Sequence, residues 1–449
     1  MPKIVRLLEN LKTRTWLVIV TTVAVVERVS LYFFYRPVLR HDTTGYRRAA
    51  AAILAGWTNL DGTRTPSYPV FLALFGSDER VYIAQLVLGL VTTLLFFYLG
   101  WRISRKGWFG ALAALAHTLN LGQLFFEADL ISETLATFFI AASLAWIAWL
   151  LFSDAKRPLW QVAAAGLAVG LTAGLATLTR PQFIFLPFWA ALFLLAFWRG
   201  AAPKMRWCAA LTAGLAGLLI VGTWVNFIHE RFDIWSLSVM NGYHLVQHTG
   251  LFFEYVPDEY AAIRNTYIQY RQTQIAETGL PYNAIWNAIP DLEKVSGLGF
   301  IPLSNLLLKI SIQLIFEHPG LYLRNVLLGW LWFWKAPVSW LPASVASPAL
   351  RSIISALIVL ERGGMVVFNI TFVLGSLTLI WKKMRRTQKM KPFVWFAAGV
   401  VWFTSIIQTL LEHGDNPRFS VPIQTLVLFV ILWWGISFLN RKKDENLPA

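Results

Sequence analysis

Long apolar runs alternate with short polar segments along almost the whole chain. A helix of about twenty residues crosses the hydrocarbon core of a bilayer, so each run of that length predicts a membrane span. The apolar positions are continuous rather than alternating, which favours helices over the strands of a barrel. The pattern predicts about ten spans, at roughly 14–35, 81–101, 108–126, one ending at Phe152, 159–179, one ending before Arg199, 207–227, 362–381, 392–411 and one ending at Trp434.

The composition agrees with this class. The chain has 449 residues, of which 57% are hydrophobic and 14% are charged, whereas a soluble protein carries about a quarter charged residues. The net charge of +15 would suggest nucleic acid as the partner of a soluble protein. Here the basic residues cluster between spans, so they indicate cytoplasmic loops, and no nucleic-acid partner is expected. The single cysteine, Cys208, excludes a disulfide framework.

Basic clusters follow every second span, which predicts that both termini lie in the cytoplasm. They occur at the N-terminus, 102–106, 156–157, 199–206, 382–391 and 441–443. Residues 1–13 are predicted as a basic amphipathic helix on the inner leaflet. The segment 318–337 is long enough to span, but counting it would move the 382–391 cluster outside. It is therefore predicted as an interfacial or re-entrant helix, and whether it spans stays open.

These features predict an all-α, polytopic helical bundle in the inner (plasma) membrane, with three regions. Residues 1–227 form an N-terminal transmembrane module that contains the first external loop, 36–80. Residues 228–354 form a long external region with interfacial helices, and 355–449 form the C-terminal transmembrane helices. The acidic and polar groups between the spans then fall on the external, or periplasmic, face, where chemistry is expected.

Short motifs in these external segments resemble the glycosyltransferase C superfamily. Asp42, Tyr46 and the run RTPSYPVFLAL at 64–74 are similar to its first external loop. Residues 130–135, 178–181 and 417–422 resemble later family motifs. The resemblance is nearest to the bacterial family-39-like branch, related to protein O-mannosyltransferases and aminoarabinose transferases. The adjacent Asp-Glu pair of the mannosyltransferases is Asp42-Thr43 in this chain, which leaves the sugar and the acceptor open.

The resemblance implies an enzyme that moves a hexosyl or pentosyl group from a polyprenyl-phosphate donor to an acceptor hydroxyl on a lipid, glycan or protein, with inversion. Asp42 would be the general base, because the attacking hydroxyl must lose its proton. Arginines would bind the phosphate of the leaving group, since the guanidinium grips phosphate oxygens with two donors. The candidate substrate-binding residues are Tyr46, Arg64, Tyr68, Asp129, Glu133, Arg180, His413 and Arg418.

Several alternatives stay open. Asp42 is also suited to cap a helix, and Glu133 is also suited to packing within the bundle. A transporter or flippase of a lipid-linked or polyanionic substrate is the alternative function, although the two halves of the chain show no repeat. No cofactor is expected, and the absence of a P-loop disfavours a nucleotide-sugar donor. A divalent cation held by Asp42 and Glu133 stays open.

Overall fold

The fold is described from a computed structural model, which covers residues 11–152, 157–345, 347–384, 392–414 and 416–445. The described residues contain helices and loops and no strand longer than an isolated bridge. The first ten helices are α1 Thr13–Phe34, α2 His41–Leu54, α3 Ser67–Phe75, α4 Asp78–Ser104, α5 Gly107–Thr118, α6 Leu121–Ala128, α7 Glu133–Leu151, α8 Leu159–Thr179, α9 Leu186–Phe197 and α10 Pro203–Phe232. The others are α11 Asn241–Thr249, α12 Ala261–Thr278, α13 Ala284–Ser296, α14 Phe300–Glu317, α15 Pro319–Phe333, α16 Pro348–Met384, α17 Pro392–Leu411, α18 Asn416–Phe419 and α19 Gln424–Glu445.

The predicted all-α class is confirmed, and the chain is a multi-pass membrane protein. Within the described residues, 9 helices are long and apolar enough to cross a membrane, or up to 10 if α5 and α6 form one span. This pair replaces the predicted straight span at 108–126 and is bent by 53°. The bend has a local cause. Asn120 interrupts the run, and its side chain accepts a hydrogen bond from the Gln123 N–H at 3.0 Å, which starts a new helix.

Two other segments differ from the sequence prediction. Helix α14, within the stretch predicted to be mostly polar, is apolar enough to cross a membrane. The next helix, α15, has 15 residues and replaces the predicted 318–337 segment. Before α9, Pro181 begins a short 3-10 turn, so Pro181–Phe197 is a shorter apolar helix rather than a full-length span. The predicted helix at 1–13 and the basic cluster at 382–391 lie largely outside the residues whose side chains are described.

The chain forms two compact units. Unit one consists of Met1–Thr223, Ala336–Phe403 and Val421–Ala449, and unit two consists of Trp224–Lys335 and Thr404–Ser420. Each unit buries an apolar core. In unit one a cluster around the rings of Tyr35, Tyr68 and Phe125 packs under the segment that precedes α7. In unit two a cluster around Tyr243 and Phe253 joins α11 to α14.

Candidate active site

An acidic segment, Glu127–Glu133, is the centre of the polar site in unit one. It leaves the end of α6 and enters α7, and its backbone is fixed from two sides. Val38 forms an isolated parallel bridge with Asp129, through hydrogen bonds of 2.9 Å from Val38 N to Ala128 O and from Leu130 N to Val38 O. On the other side, the Gln85 amide donates to the carbonyls of Glu127 and Asp129 at 2.9 and 2.8 Å. The segment is therefore held in one conformation.

Each carboxylate of this segment pairs with a different arginine. Glu127 meets Arg28 at 2.6 Å, Asp129 meets Arg40 at 3.0 Å, and Glu133 meets Arg180 at 2.6 Å. The exposed fractions of the three acidic side chains are 3%, 1% and 0%. Buried charges of this kind persist because they are paired, and removing one partner leaves the other uncompensated.

Asp129 is held by both a guanidinium and a hydroxyl group. Its two carboxylate oxygens accept from the Arg40 guanidinium at 3.0 and 3.3 Å, and the Ser339 hydroxyl also donates to it. Burial raises the pKa of Asp129 from 3.8 to about 6, against the opposing effect of Arg40. Desolvation therefore outweighs the ion pair at this carboxyl.

Helix α2 is anchored on the acidic segment by its first two turns. The Thr43 hydroxyl donates to the Leu130 carbonyl at 3.0 Å, and the Tyr46 and Ser132 hydroxyls are 3.0 Å apart. Arg40 occupies the N-cap position, and its N–H donates to the Thr43 hydroxyl at 2.9 Å. Asp42 is thus the second helical residue and does not cap the helix, contrary to the capping alternative drawn from the sequence.

Asp42 forms a fourth carboxylate–arginine pair, with Arg64 at 2.8 Å. The guanidinium of Arg64 also lies over the ring of Tyr46, 5.0 Å from its centroid, in a cation–π contact. Both members of the Asp42–Arg64 pair have 23% of the side chain exposed. Among the four paired carboxylates described so far, that of Asp42 is accessible to a ligand from outside the protein.

Two further acids of the first loop also pair with arginines: Asp78 with Arg47, and Asp61, whose side chain is 28% exposed, with Arg48 at 3.6 Å. Asp61 accepts from the N–H and hydroxyl of Thr63 at 2.9 and 2.7 Å, which stabilises the local turn. Asp78 lies in the first turn of α4 and pairs with Arg47, and both side chains are about half exposed, at 46% and 44%. Neither acid is anchored to the acidic segment through its own helix in the way that Asp42 is.

The predicted site residues divide into four groups. Asp42, Tyr46 and Arg64 form one contact set, while Asp129, Glu133 and Arg180 form buried ion pairs in the same unit. Tyr68 is fully buried, and its hydroxyl donates to Gln85 at 2.7 Å, so it supports the acidic segment from the core. His413 and Arg418 belong to unit two, where His413 is buried and Arg418 is half-buried.

Sequence reasoning missed several residues that organise the site. The buried pair Arg28–Glu127 is not among the candidate residues selected from the sequence. Arg40, Gln85 and Ser339 were not selected at all, although Arg40 stands two residues before Asp42. In the described residues no group of three or more histidine, cysteine or acidic side chains is placed to hold a metal ion.

Comparison with known proteins gives a structural likeness. No protein-family model matches the sequence, and no curated protein matches it. Among solved structures, the chain is similar to ArnT from Cupriavidus metallidurans bound to undecaprenyl phosphate, with 15% identity, 93% of this chain and 78% of that chain covered, and a TM-score of 0.39. It is similar to the apo state of the same protein at the same identity and coverage, with a TM-score of 0.37.

Proposed function

We propose that this protein is a membrane glycosyltransferase that moves a sugar from a polyprenyl-phosphate donor to an acceptor hydroxyl, with Asp42 as the general base. One observation carries the proposal. Four carboxylates are paired with arginines around the acidic segment, and the side chains of Glu127, Asp129 and Glu133 are buried, whereas that of Asp42 is 23% exposed. A general base must come within hydrogen-bond reach of the proton that it accepts.

In this mechanism the acceptor hydroxyl donates its proton to the Asp42 carboxylate as its oxygen attacks C1 of the sugar. The new C1–O bond forms on the face opposite the phosphate, and the bond from C1 to the phosphate oxygen breaks with its electron pair. The polyprenyl phosphate leaves, and the configuration at C1 is inverted. A carboxylate base must be ionised beforehand, and the Arg64 guanidinium at 2.8 Å stabilises the charged form by Coulombic attraction.

Arg64 is proposed to have a second role, toward the anionic donor. The guanidinium has five N–H donors, and its hydrogen bond to Asp42 uses one of them, from Nη2. A donor phosphate bound beside Asp42 would be attracted to the same cation. The base and the phosphate contact would then be adjacent.

The expected effect of Asp42→Asn is a fall in sugar transfer of about 10²–10⁴-fold, the usual contribution of general-base catalysis. The measurement is transfer by the purified protein from a panel of polyprenyl-phosphate sugars, with mass spectrometry of the products. Stability should change by at most about 1 kcal/mol, because a partly exposed ion pair is lost. The matched control is Asp78→Asn, which removes another loop carboxylate paired with an arginine. Retention of more than about a tenth of the wild-type rate in Asp42→Asn would remove Asp42 as the base.

The site is proposed to face the periplasm, from the positions of the basic clusters in the sequence. Asp258 belongs to the region 228–354 assigned to the exterior, and 93% of its side chain is exposed. In a Cys208→Ala background, Asp258→Cys should react with an impermeant maleimide added to intact spheroplasts. Lys204→Cys, which lies in a cluster assigned to the cytoplasm, should react only after lysis. The reverse pattern would place the site on the cytoplasmic face.

A further inference from the structure

Unit two contains a buried cluster of neutral polar side chains, formed by His248, His413 and Asn416. All three residues are buried, with an exposed fraction of 0%. Within the part of the chain that the structure describes, both ring nitrogens of His413 and both amide atoms of Asn416 have no hydrogen-bond partner in another residue, whereas the His248 ring interacts with the backbone of Thr409 and Glu412. A buried polar atom without a partner costs about 1–3 kcal/mol, so such a concentration requires an explanation.

The histidines of this cluster are uncharged at neutral pH. Burial lowers the pKa of His248 to about 3 and that of His413 to about 4. A neutral imidazole offers one donor and one acceptor, and a primary amide offers two donors and an acceptor. The cluster therefore presents both kinds of hydrogen-bonding atom without a net charge.

Aromatic rings line the other side of the cluster. Tyr282 stacks on the His413 ring at 4.0 Å between centroids and an interplanar angle of 14°. Trp332 lies edge-on to Tyr282 at 5.1 Å, and Tyr322 lies edge-on to His248 at 5.5 Å. Tyr282 is partly exposed, so a ligand that reaches His413 from the surface would replace this ring.

The carboxylate of Glu412, which precedes His413 in the chain, already has partners within the protein. Glu412 accepts from the Gln247 amide at 3.1 Å and lies 3.3 Å from the His244 ring. Two residues further on, the Gly414 N–H donates a hydrogen bond of 2.7 Å to the Gln247 side chain. These contacts hold the backbone that presents His413 and Asn416, and they satisfy the negative charge within the protein.

We propose that this cluster is a binding site for a neutral carbohydrate. Hydroxyl groups both donate and accept, which matches the imidazole and amide atoms of His413 and Asn416. The apolar face of a sugar ring would pack on Trp332, whose ring centroid lies 6.1 Å from that of His413. An anionic ligand is disfavoured, because the buried atoms of the cluster carry no positive charge. The inference depends on unit two alone and does not require the proposed transfer reaction.

The test is binding of methyl glycosides of mannose, glucose and arabinose to the full-length protein in detergent, followed by saturation-transfer NMR. At least one glycoside should bind, and His413→Phe and Asn416→Ala should each weaken that binding by tenfold or more. Phenylalanine keeps the ring that stacks on Tyr282 and removes both nitrogens. The matched control is His229→Phe, because His229 also stacks on an aromatic ring, that of Trp235 at 4.0 Å, and is 30% exposed. It should bind like wild type.

A second variant protects the test against misfolding. Tyr282→Ala changes a partly exposed ring and should alter glycoside affinity while the melting temperature stays within the range of the His229→Phe control. Absence of saturation transfer with every glycoside, or equal binding by wild type and by folded His413→Phe, Asn416→Ala and Tyr282→Ala proteins, would overturn the proposal. The buried atoms would then be satisfied by water. Neither outcome affects Asp42, whose role is measured by transfer.

Discussion

The polar side chains in the interior of the two units have different kinds of partners. In unit one, the buried carboxylates Glu127, Asp129 and Glu133 each meet an arginine. In unit two, the carboxylate of Glu412, whose side chain is 13% exposed, contacts the Gln247 amide and the His244 imidazole, and the buried side chains of His413 and Asn416 are neutral. The first arrangement fixes charges in place around a segment of backbone, and the second leaves hydrogen-bonding atoms uncommitted.

This difference predicts that removing one member of a buried ion pair in unit one lowers folding stability far more than removing a buried neutral side chain in unit two. Glu133→Ala leaves Arg180, which is 6% exposed, without the carboxylate at 2.6 Å. Breaking a buried pair from one side costs about 3–5 kcal/mol, so thermal unfolding in detergent should begin at a markedly lower temperature. In unit two, Asn416→Ala removes an amide that makes no hydrogen bond of ordinary geometry within the described residues, and it should cost much less.

The control for this prediction is Asp78→Ala, which removes one member of an ion pair that is about half exposed. Exposed pairs contribute about 0–1 kcal/mol. Equal losses of stability in Glu133→Ala, Asp78→Ala and Asn416→Ala would show that the two units do not differ in the way described.

The sequence predicted those contacts of the site whose two residues lie close together in the chain. Asp42, Tyr46 and Arg64 were selected together because they share one loop, and the structure brings them into contact. The pair Arg40–Asp129 joins residues 89 positions apart. It depends on the bridge between Val38 and the acidic segment, and no local pattern indicates such a bridge.

The same distinction applies to the fold. Uniform apolar runs predicted most of the spanning helices, since period and length are local properties. The bend between α5 and α6 was missed because it depends on one capping contact of Asn120 within an apolar run. Helix α14 was missed because Lys309, Ser304 and Gln313 interrupt its apolar pattern, although the helix as a whole is long and apolar enough to cross a membrane.

A smaller effect is expected from pH at Asp129. Its pKa rises from the ordinary value of 3.8 to about 6 in the fold, so between these values the folded state binds the extra proton. Stability should therefore fall as pH rises from about 4 to 6, by roughly 2–3 kcal/mol at about 1.4 kcal/mol per pKa unit. Asp129→Asn removes the titration, and the measurement is the difference in melting temperature between wild type and variant across this range.

The sign of that difference decides the interpretation. Relative to Asp129→Asn, the wild type should be most stable near pH 4 and lose its advantage toward pH 6. If Arg40 instead dominated over burial, the folded pKa would be depressed, and the wild type would lose stability as pH fell. That result would place Asp129 among ordinary ion pairs and would weaken the contrast with unit two.

The smallest expected effect tests how closely Arg64 is positioned beside the base. Gly45 lies in α2 under the guanidinium, and a Cβ added there would meet the Arg64 Nε at 2.9 Å. The Arg64 side chain would have to shift by a few tenths of an ångström, which should lower sugar transfer by roughly threefold to tenfold, since catalysis is sensitive to small misplacements. Stability should stay the same or rise by up to about 1 kcal/mol, because alanine favours a helix over glycine.

The control for Gly45→Ala is Gly363→Ala, at a helical glycine whose added Cβ meets nothing within 4 Å. Both variants should share the gain in helix propensity, so a loss of transfer confined to Gly45→Ala isolates the displacement of Arg64. A Gly45→Ala enzyme that transfers sugar at the wild-type rate would mean that the exact position of the guanidinium is unimportant. The Asp42–Arg64 pair would then resemble the exposed Arg47–Asp78 pair, and Arg64 would no longer be assigned to the donor phosphate.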